Sequence, residues 1–134
     1  MTSKLDNALN FHQTALNVRA ARQELLSSNV ANGDTPNYKA RDIDFSSVLS
    51  DALSSNIKKT GLTTTSQMHI SPNATNSIVS QALYRVPQQP SADGNTVEMD
   101  AERAKFADNS IKYDASLTFI SGQIRNLMTA IQER

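Results

Sequence analysis

Cysteine and tryptophan are absent from the 134 residues. Without cysteine there is no disulfide framework, no CxxC redox pair and no thiolate zinc site. An excess of either charge is also missing, since 13 Lys and Arg balance 13 Asp and Glu. A broad basic face for nucleic acid, or a polybasic membrane anchor, is therefore not built into the chain. Nowhere do ~18 apolar residues run together, so no membrane-spanning helix is expected. The opening stretch, MTSKLDNALNFHQ, lacks an apolar h-region, so no cleavable secretory signal is expected. Apolar residues are scarce as well: Leu, Ile, Val and Phe number 29, against 47 Ser, Thr, Asn and Gln. That level borders the range of disordered chains, so a self-sufficient core would be thin.

Patterns that carry chemistry are nearly absent too. His12 and His69 have no carboxylate or second histidine at a ligand spacing such as HxxxH. Ser55 and Lys58 form an SxxK without its companion motifs, and Asp42 with Asp44 forms a DxD without the rest of a calcium loop. Asn73-Ala74-Thr75 is a formal glycosylation sequon of low specificity. No GxGxxG, P-loop or GxSxG occurs. The chain is therefore expected to be non-enzymatic, with no cofactor and no metal.

What is present lies at the two ends. Leu5, Leu9, His12, Leu16, Arg19, Gln23, Leu26 and Val30 alternate in steps of four and three, the spacing of a coiled-coil seam. A helix over about residues 4–31 follows, with His12, Arg19 and Gln23 as polar members able to fix register. A second row, Phe11, Val18 and Leu25, repeats every seven residues on another side. Near the C-terminus, Met99, Arg103, Phe106, Ser110, Tyr113, Leu117, Ile120, Ile124, Leu127 and Ile131 alternate in the same way. A second long helix is expected over about 97–132, with Asn95 or Thr96 as its N-cap and Glu98, Asp100 and Glu102 at the positive end of its dipole. Phe119 falls off its stripe.

Between the helices, Asn32-Gly33 is expected to end the first in a left-handed turn, and Thr35-Pro36-Asn37 to form a proline turn with Asn37 at positive φ. A loop and arm over 32–43 leads to a short amphipathic helix over 44–55, carried by Phe45, Val48, Leu49, Ala52 and Leu53. Residues 56–94 read as irregular and polar, with at most a weak hairpin. The fold class is thus mainly α: long terminal helices paired as a coiled-coil hairpin, a short helix, and an irregular, weakly β middle. The pairing sets Leu5, Leu9, Leu16, Leu26 and Val30 against Phe106, Tyr113, Leu117, Ile120, Ile124, Leu127 and Ile131. A lone hairpin leaves Phe11, Val18, Leu25 and Phe119 uncovered, so these are candidates for contact with other subunits. Such helices gain most of their stability from packing, so a free monomer is expected to be loosely ordered.

One stretch resembles a known signature. Ser28-Asn29-Val30-Ala31-Asn32-Gly33-Asp34-Thr35-Pro36-Asn37-Tyr38-Lys39 is similar to the N-terminal signature of the bacterial flagellar axial proteins, the rod, hook and hook-associated subunits. Its signature positions here are Asn29, Ala31, Asn32, Thr35, Pro36 and Tyr38, with Asn37 where glycine is usual. Ala40-Arg41-Asp42-Ile43-Asp44-Phe45, Tyr84-Arg85-Val86-Pro87 and Asp93-Gly94-Asn95-Thr96-Val97-Glu98-Met99-Asp100 narrow the resemblance to the short proximal rod subunits. Glu102-Arg103, Phe106, Asn109 and Lys112-Tyr113 extend it. The resemblance implies one rod-subunit domain over 1–134, whose terminal helices line a central channel. It also implies self-assembly with rod subunits such as FlgC, contact with the MS-ring protein FliF and the adaptor FliE, and passage through the flagellar type III export apparatus to a periplasmic rod. Rival readings are another rod subunit, such as FlgC itself, and a soluble coiled-coil adaptor stable as a dimer.

Overall fold

The structure, a computed structural model, describes residues 4–53, 78–89 and 91–132, without the side chains of 4–8, 79 and 80. The side chain of Leu5, the end of the expected short helix at 54–55, Ser55, Lys58, His69, the sequon at 73–75 and most of the polar segment lie outside the described residues.

Two long helices dominate. Helix α1 spans Lys4–Ala31, uninterrupted by Pro or Gly. Helix α3 spans Met99–Gln132, with Asp100 and Glu102 in its first turn where negative charge suits the dipole. Between them come strand β1 (Arg41–Asp42), helix α2 (Phe45–Leu53), a 3-10 turn (Ile78–Gln81) and strand β2 (Leu83–Tyr84). The chain is mainly α. Asp44 caps α2, its carboxylate accepting from Ser46 N at 3.2 Å and its carbonyl from Val48 N at 3.1 Å.

Hydrogen bonds fix the relative direction of the long helices. Asn29 of α1 bonds Glu102 of α3, and Asn109 bonds Arg19 and Gln23. Residue numbers rise along one helix as they fall along the other, so the pair is antiparallel. The strands β1 and β2 pair antiparallel, with Arg41 opposite Tyr84 and Asp42 opposite Leu83.

Helix α1 is the middle layer. One side meets α3; another meets β1, α2 and the 3-10 turn. This second side holds the apolar core, in which Val18, Leu25, Ile43 and Val48 are buried and Ala21, Phe45, Ile78 and Ala82 pack against them. The structure therefore corrects the assignment of Val18 and Leu25 to other subunits. Their row is covered within the chain, because the arm after Tyr38 folds back and brings Ile43 and α2 across it. Phe11, one heptad nearer the N-terminus, stays exposed.

Candidate functional site

The signature loop closes the end of the hairpin where α1 stops and α3 starts. Asn32 N reaches back to Ser28 O and Asn29 O, and Gly33 N to Val30 O, which ends α1 without a left-handed residue at Asn32 or Gly33. Positive φ falls instead at Asn37 (61°) and at Gly94 (73°). Gly94 is also close to a neighbour, since a Cβ there would lie 2.6 Å from Asn37 Oδ1. The loop that follows α1 is held by one side chain from across the fold. Asn95 Nδ2 donates to the carbonyls of Asn32 (3.0 Å), Gly33 (2.7 Å) and Thr35 (3.1 Å). Its Oδ1 accepts from Val97 N at 2.8 Å in the approach to α3. Asn95 is thus a joint between the two helices, and Glu98 does not complete a capping box with it. The Glu98 carboxylate instead accepts from the backbone N–H groups of Gln88 and Gln89.

A second buried hub sits one turn back. Asn29 Nδ2 donates to Arg41 O at 2.8 Å and to Glu102 Oε2 at 3.0 Å, and its Oδ1 accepts from Arg41 N at 3.2 Å. Its amide therefore satisfies the edge of β1 that faces away from β2. Tyr38 OH also donates to Asn29 Oδ1, at 3.4 Å, and bonds Ser28 Oγ. The Glu102 carboxylate is buried, and its charge is met by Arg85 from the β2 segment. Backbone ties complete the clasp: Asn37 N to Asp93 O, Thr96 N to Tyr38 O, and Arg85 N to Ala40 O. Nearby, Arg22 grips Asp42 with two bonds of 2.8 and 3.0 Å, which raises the Arg22 pKa further above its ordinary value. Arg19 lies over the Phe45 ring at 4.3 Å; burial first, then the Arg22 charge, lowers its pKa.

The seam between α1 and α3 differs from the apolar one expected. The two fully covered residues of α3 are Glu102 and Asn109, seven apart. Asn109 Nδ2 donates to Arg19 O at 3.0 Å and to Gln23 Oε1 at 2.6 Å. Ser116 and Gln123 continue the row at the same spacing and are half-buried. At ~100° per residue, the apolar stripe of α3 lies about 40–100° around the helix from that row. Tyr113, Ile120 and Leu127 are consequently half-buried, while Phe106, Leu117, Ile124 and Ile131 are exposed at 37, 39, 44 and 75%. On α1, Leu26 is buried, and Leu9, Leu16 and Val30 are half-buried. The stripe thus faces along one flank of the hairpin rather than into it.

That flank is hollowed. One depression of about 360 Å³ is lined by Ser27, Val30, Ala31, Arg103 and Phe106. The next, of about 350 Å³, is lined by Ala20, Gln23, Glu24, Ser27, Ser110 and Tyr113. They share Ser27 and form one trough between the helices. On the other flank a hollow of about 380 Å³ lies beside the β ribbon, where Arg22, Asp42 and Arg85 are already paired with each other or with Glu102.

The signature residues fall into one unit. Asn29, Asn32, Thr35 and Tyr38 make the clasp, Pro36 is the exposed corner of its turn, and Ala31 faces the trough. Phe11 and Phe119 are both exposed. Glu102, Asn109 and Arg85 were not among the residues singled out for the seam. The heptad spacing of Glu102, Asn109, Ser116 and Gln123 was the available signal.

A family model described as "Flagella basal body rod protein" matches residues 9–39, which covers most of α1 and the clasp loop. Over nearly the full chain, this sequence is similar to curated proteins named "Flagellar basal body rod protein FlgB". That of Salmonella typhimurium is 52% identical over 135 residues, 98% of each chain. That of Escherichia coli is 51% identical over 98% of each. That of Yersinia enterocolitica is 52% identical over 99% of each.

Proposed function

The chain belongs to the flagellar basal-body rod proteins, and from that premise we propose that it is a structural subunit of the rod, of the FlgB kind. The observation that carries this is the 52% identity to a FlgB relative over 98% of both chains. The whole chain acts as one unit in which the clasp holds α1 and α3 at a fixed angle and the open flank meets other subunits. Close-packed contacts of this kind transmit strain with little give, which suits a rotating shaft. Its neighbours are other rod components, FlgC next to it, with the adaptor FliE and the MS-ring protein FliF nearby at the rod base. The family resemblance supports those partners, along with export through the flagellar type III apparatus and a position in the periplasmic rod. No helix among the described residues is long and apolar enough to cross a membrane.

The test is complementation. This chain is expressed in motile bacteria lacking their own FlgB-type subunit, and basal bodies are isolated. Recovery of the chain in the rod together with restored swimming is the expected result. Rods that form without it, with the chain left in the soluble fraction, would remove the basis of the assignment.

A further inference from the structure

The trough has a counterpart on the same molecule. Ala107, Ile111, Ala115 and Phe119 are all exposed and stand four residues apart on α3. Ile111 and Phe119 are 70 and 67% exposed, among the most open large apolar side chains of the helices. Residues four apart form one of the ridges by which helices interlock. At ~100° per residue, the middle of this ridge lies roughly opposite the apolar stripe of Phe106, Tyr113 and Leu117. One long helix therefore carries an apolar ridge on its back and half of an apolar trough on its front.

We infer that the ridge of one copy seats in the α1/α3 trough of the next, hairpins side by side and pointing the same way. This deepens the rod-subunit assignment and rests on it. The occupant is a second copy because the chain supplies both halves of the fit. Small residues, Ala20, Ser27 and Ala31, leave gaps among Gln23, Glu24 and Val30 on the α1 wall of the trough, with Phe106 and Tyr113 on the other wall. Large side chains of the incoming ridge, Ile111 and Phe119, alternate with Ala115 and so interdigitate with them. The ridge from Ile111 to Phe119 is about 12 Å long at 1.5 Å per residue. The α1 wall from Ala20 to Ala31 is about 16 Å, enough to hold it. Because the two patches differ, each copy leaves one free trough and one free ridge. Such a heterologous contact adds subunits in one rotational sense and builds a ring or a helical tube, not a closed dimer.

The absence of cysteine makes the contact directly readable. Ser27→Cys places a thiol in the trough, and Ala115→Cys places one on the ridge. Within one chain the two positions are on opposite sides of the hairpin and too far apart to bridge. Cells whose only FlgB-type subunit carries both substitutions are treated with a mild oxidant, and their basal bodies are analysed by non-reducing electrophoresis. The expected result is a ladder of this chain extending past the dimer, with no ladder from either single variant. A doubly substituted chain that enters the rod and supports swimming but gives no ladder overturns the ridge-and-trough contact while leaving the rod assignment intact. Dimers from Ser27→Cys alone, in place of a ladder, mean trough against trough and also overturn it. If the unsubstituted chain never enters basal bodies, the assignment itself fails, and the inference with it.

Discussion

Changing Asn29 to aspartate alters charge and hydrogen bonding while leaving shape almost untouched. The Asn29 side chain is fully buried, and its Nδ2 serves Arg41 O at 2.8 Å and Glu102 Oε2 at 3.0 Å. Asn29→Asp removes both donated bonds and brings a second carboxylate within contact of the first. Each buried acceptor left without a donor costs about 1–3 kcal/mol, and breaking into a buried charged pair costs about 3–5 kcal/mol. These costs overlap, so a loss of about 3–5 kcal/mol is expected for Asn29→Asp. A small domain has roughly 5–15 kcal/mol in all. With a urea slope of about 1–3 kcal/mol per molar, the midpoint falls by about 1–5 M. The assay is urea unfolding of the purified chain followed by circular dichroism. Asn29→Ala loses the same bonds without adding charge, so its midpoint lies between the two. Adding Glu102→Gln to Asn29→Asp removes the charge clash and restores a donor, so part of the loss returns. An Asn29→Asp chain that unfolds at the same midpoint as the parent would refute the view that this clasp holds the hairpin closed.

Two further substitutions separate the inner core from the open flank. Leu25→Ala cuts a buried side chain from the α1 core, and a loss of about 2–5 kcal/mol in the same urea assay is expected; a loss under ~1 kcal/mol would mean that the arm and α2 do not cover that row. Leu117→Asp or Ile124→Asp, at positions 39 and 44% exposed, should change the monomer's unfolding little yet abolish swimming in soft agar while the protein is still made. Normal swimming in either variant counts against the flank as an assembly surface.

The helical ends were legible because their periodicity is long and regular. The expected 4–31 coincides with Lys4–Ala31, and the expected 97–132 differs from Met99–Gln132 only at its start. That start moved because Asn95 works on the carbonyls of residues 32, 33 and 35, and Glu98 on the segment at 88–89, so neither caps as a local pattern suggests. Positive φ at Asn37 follows from the proline turn before it. The rotation of α3 was not legible. A hydrophobic stripe states which side chains avoid water, not which neighbour covers them. The neighbour was chosen by Asn29, Gln23 and the Arg19 carbonyl, whose bonds to Glu102 and Asn109 turn a polar row inward. Val18 and Leu25 were misassigned for a related reason: the residues that cover them, Ile43 and Val48, lie in a short arm and a short helix too modest to read as core.

A polar seam beside an apolar flank divides two tasks within one helix. If α3 aimed its stripe at α1, the hairpin would be more stable alone and would have less to offer a neighbour. Burying a fully exposed large apolar side chain is worth about 1.5–3 kcal/mol, so the partly open flank residues hold a few kcal/mol in reserve for assembly. Asn109 bears the cost of this arrangement. It is fully buried, yet its Oδ1 has no hydrogen-bond partner among the described residues. Asn109→Leu removes that orphan acceptor and fills the seam with apolar volume, but it takes the donor from Gln23 Oε1 and Arg19 O, so the monomer's thermal midpoint should move little. The same change deletes the bonds that fix how far α3 slides and turns against α1, as a buried asparagine does in coiled coils. Swimming should therefore weaken even though the isolated chain melts close to where the parent does. A variant that melts earlier and swims normally would mean that Asn109 is there to stabilise the hairpin, and that its register is set elsewhere.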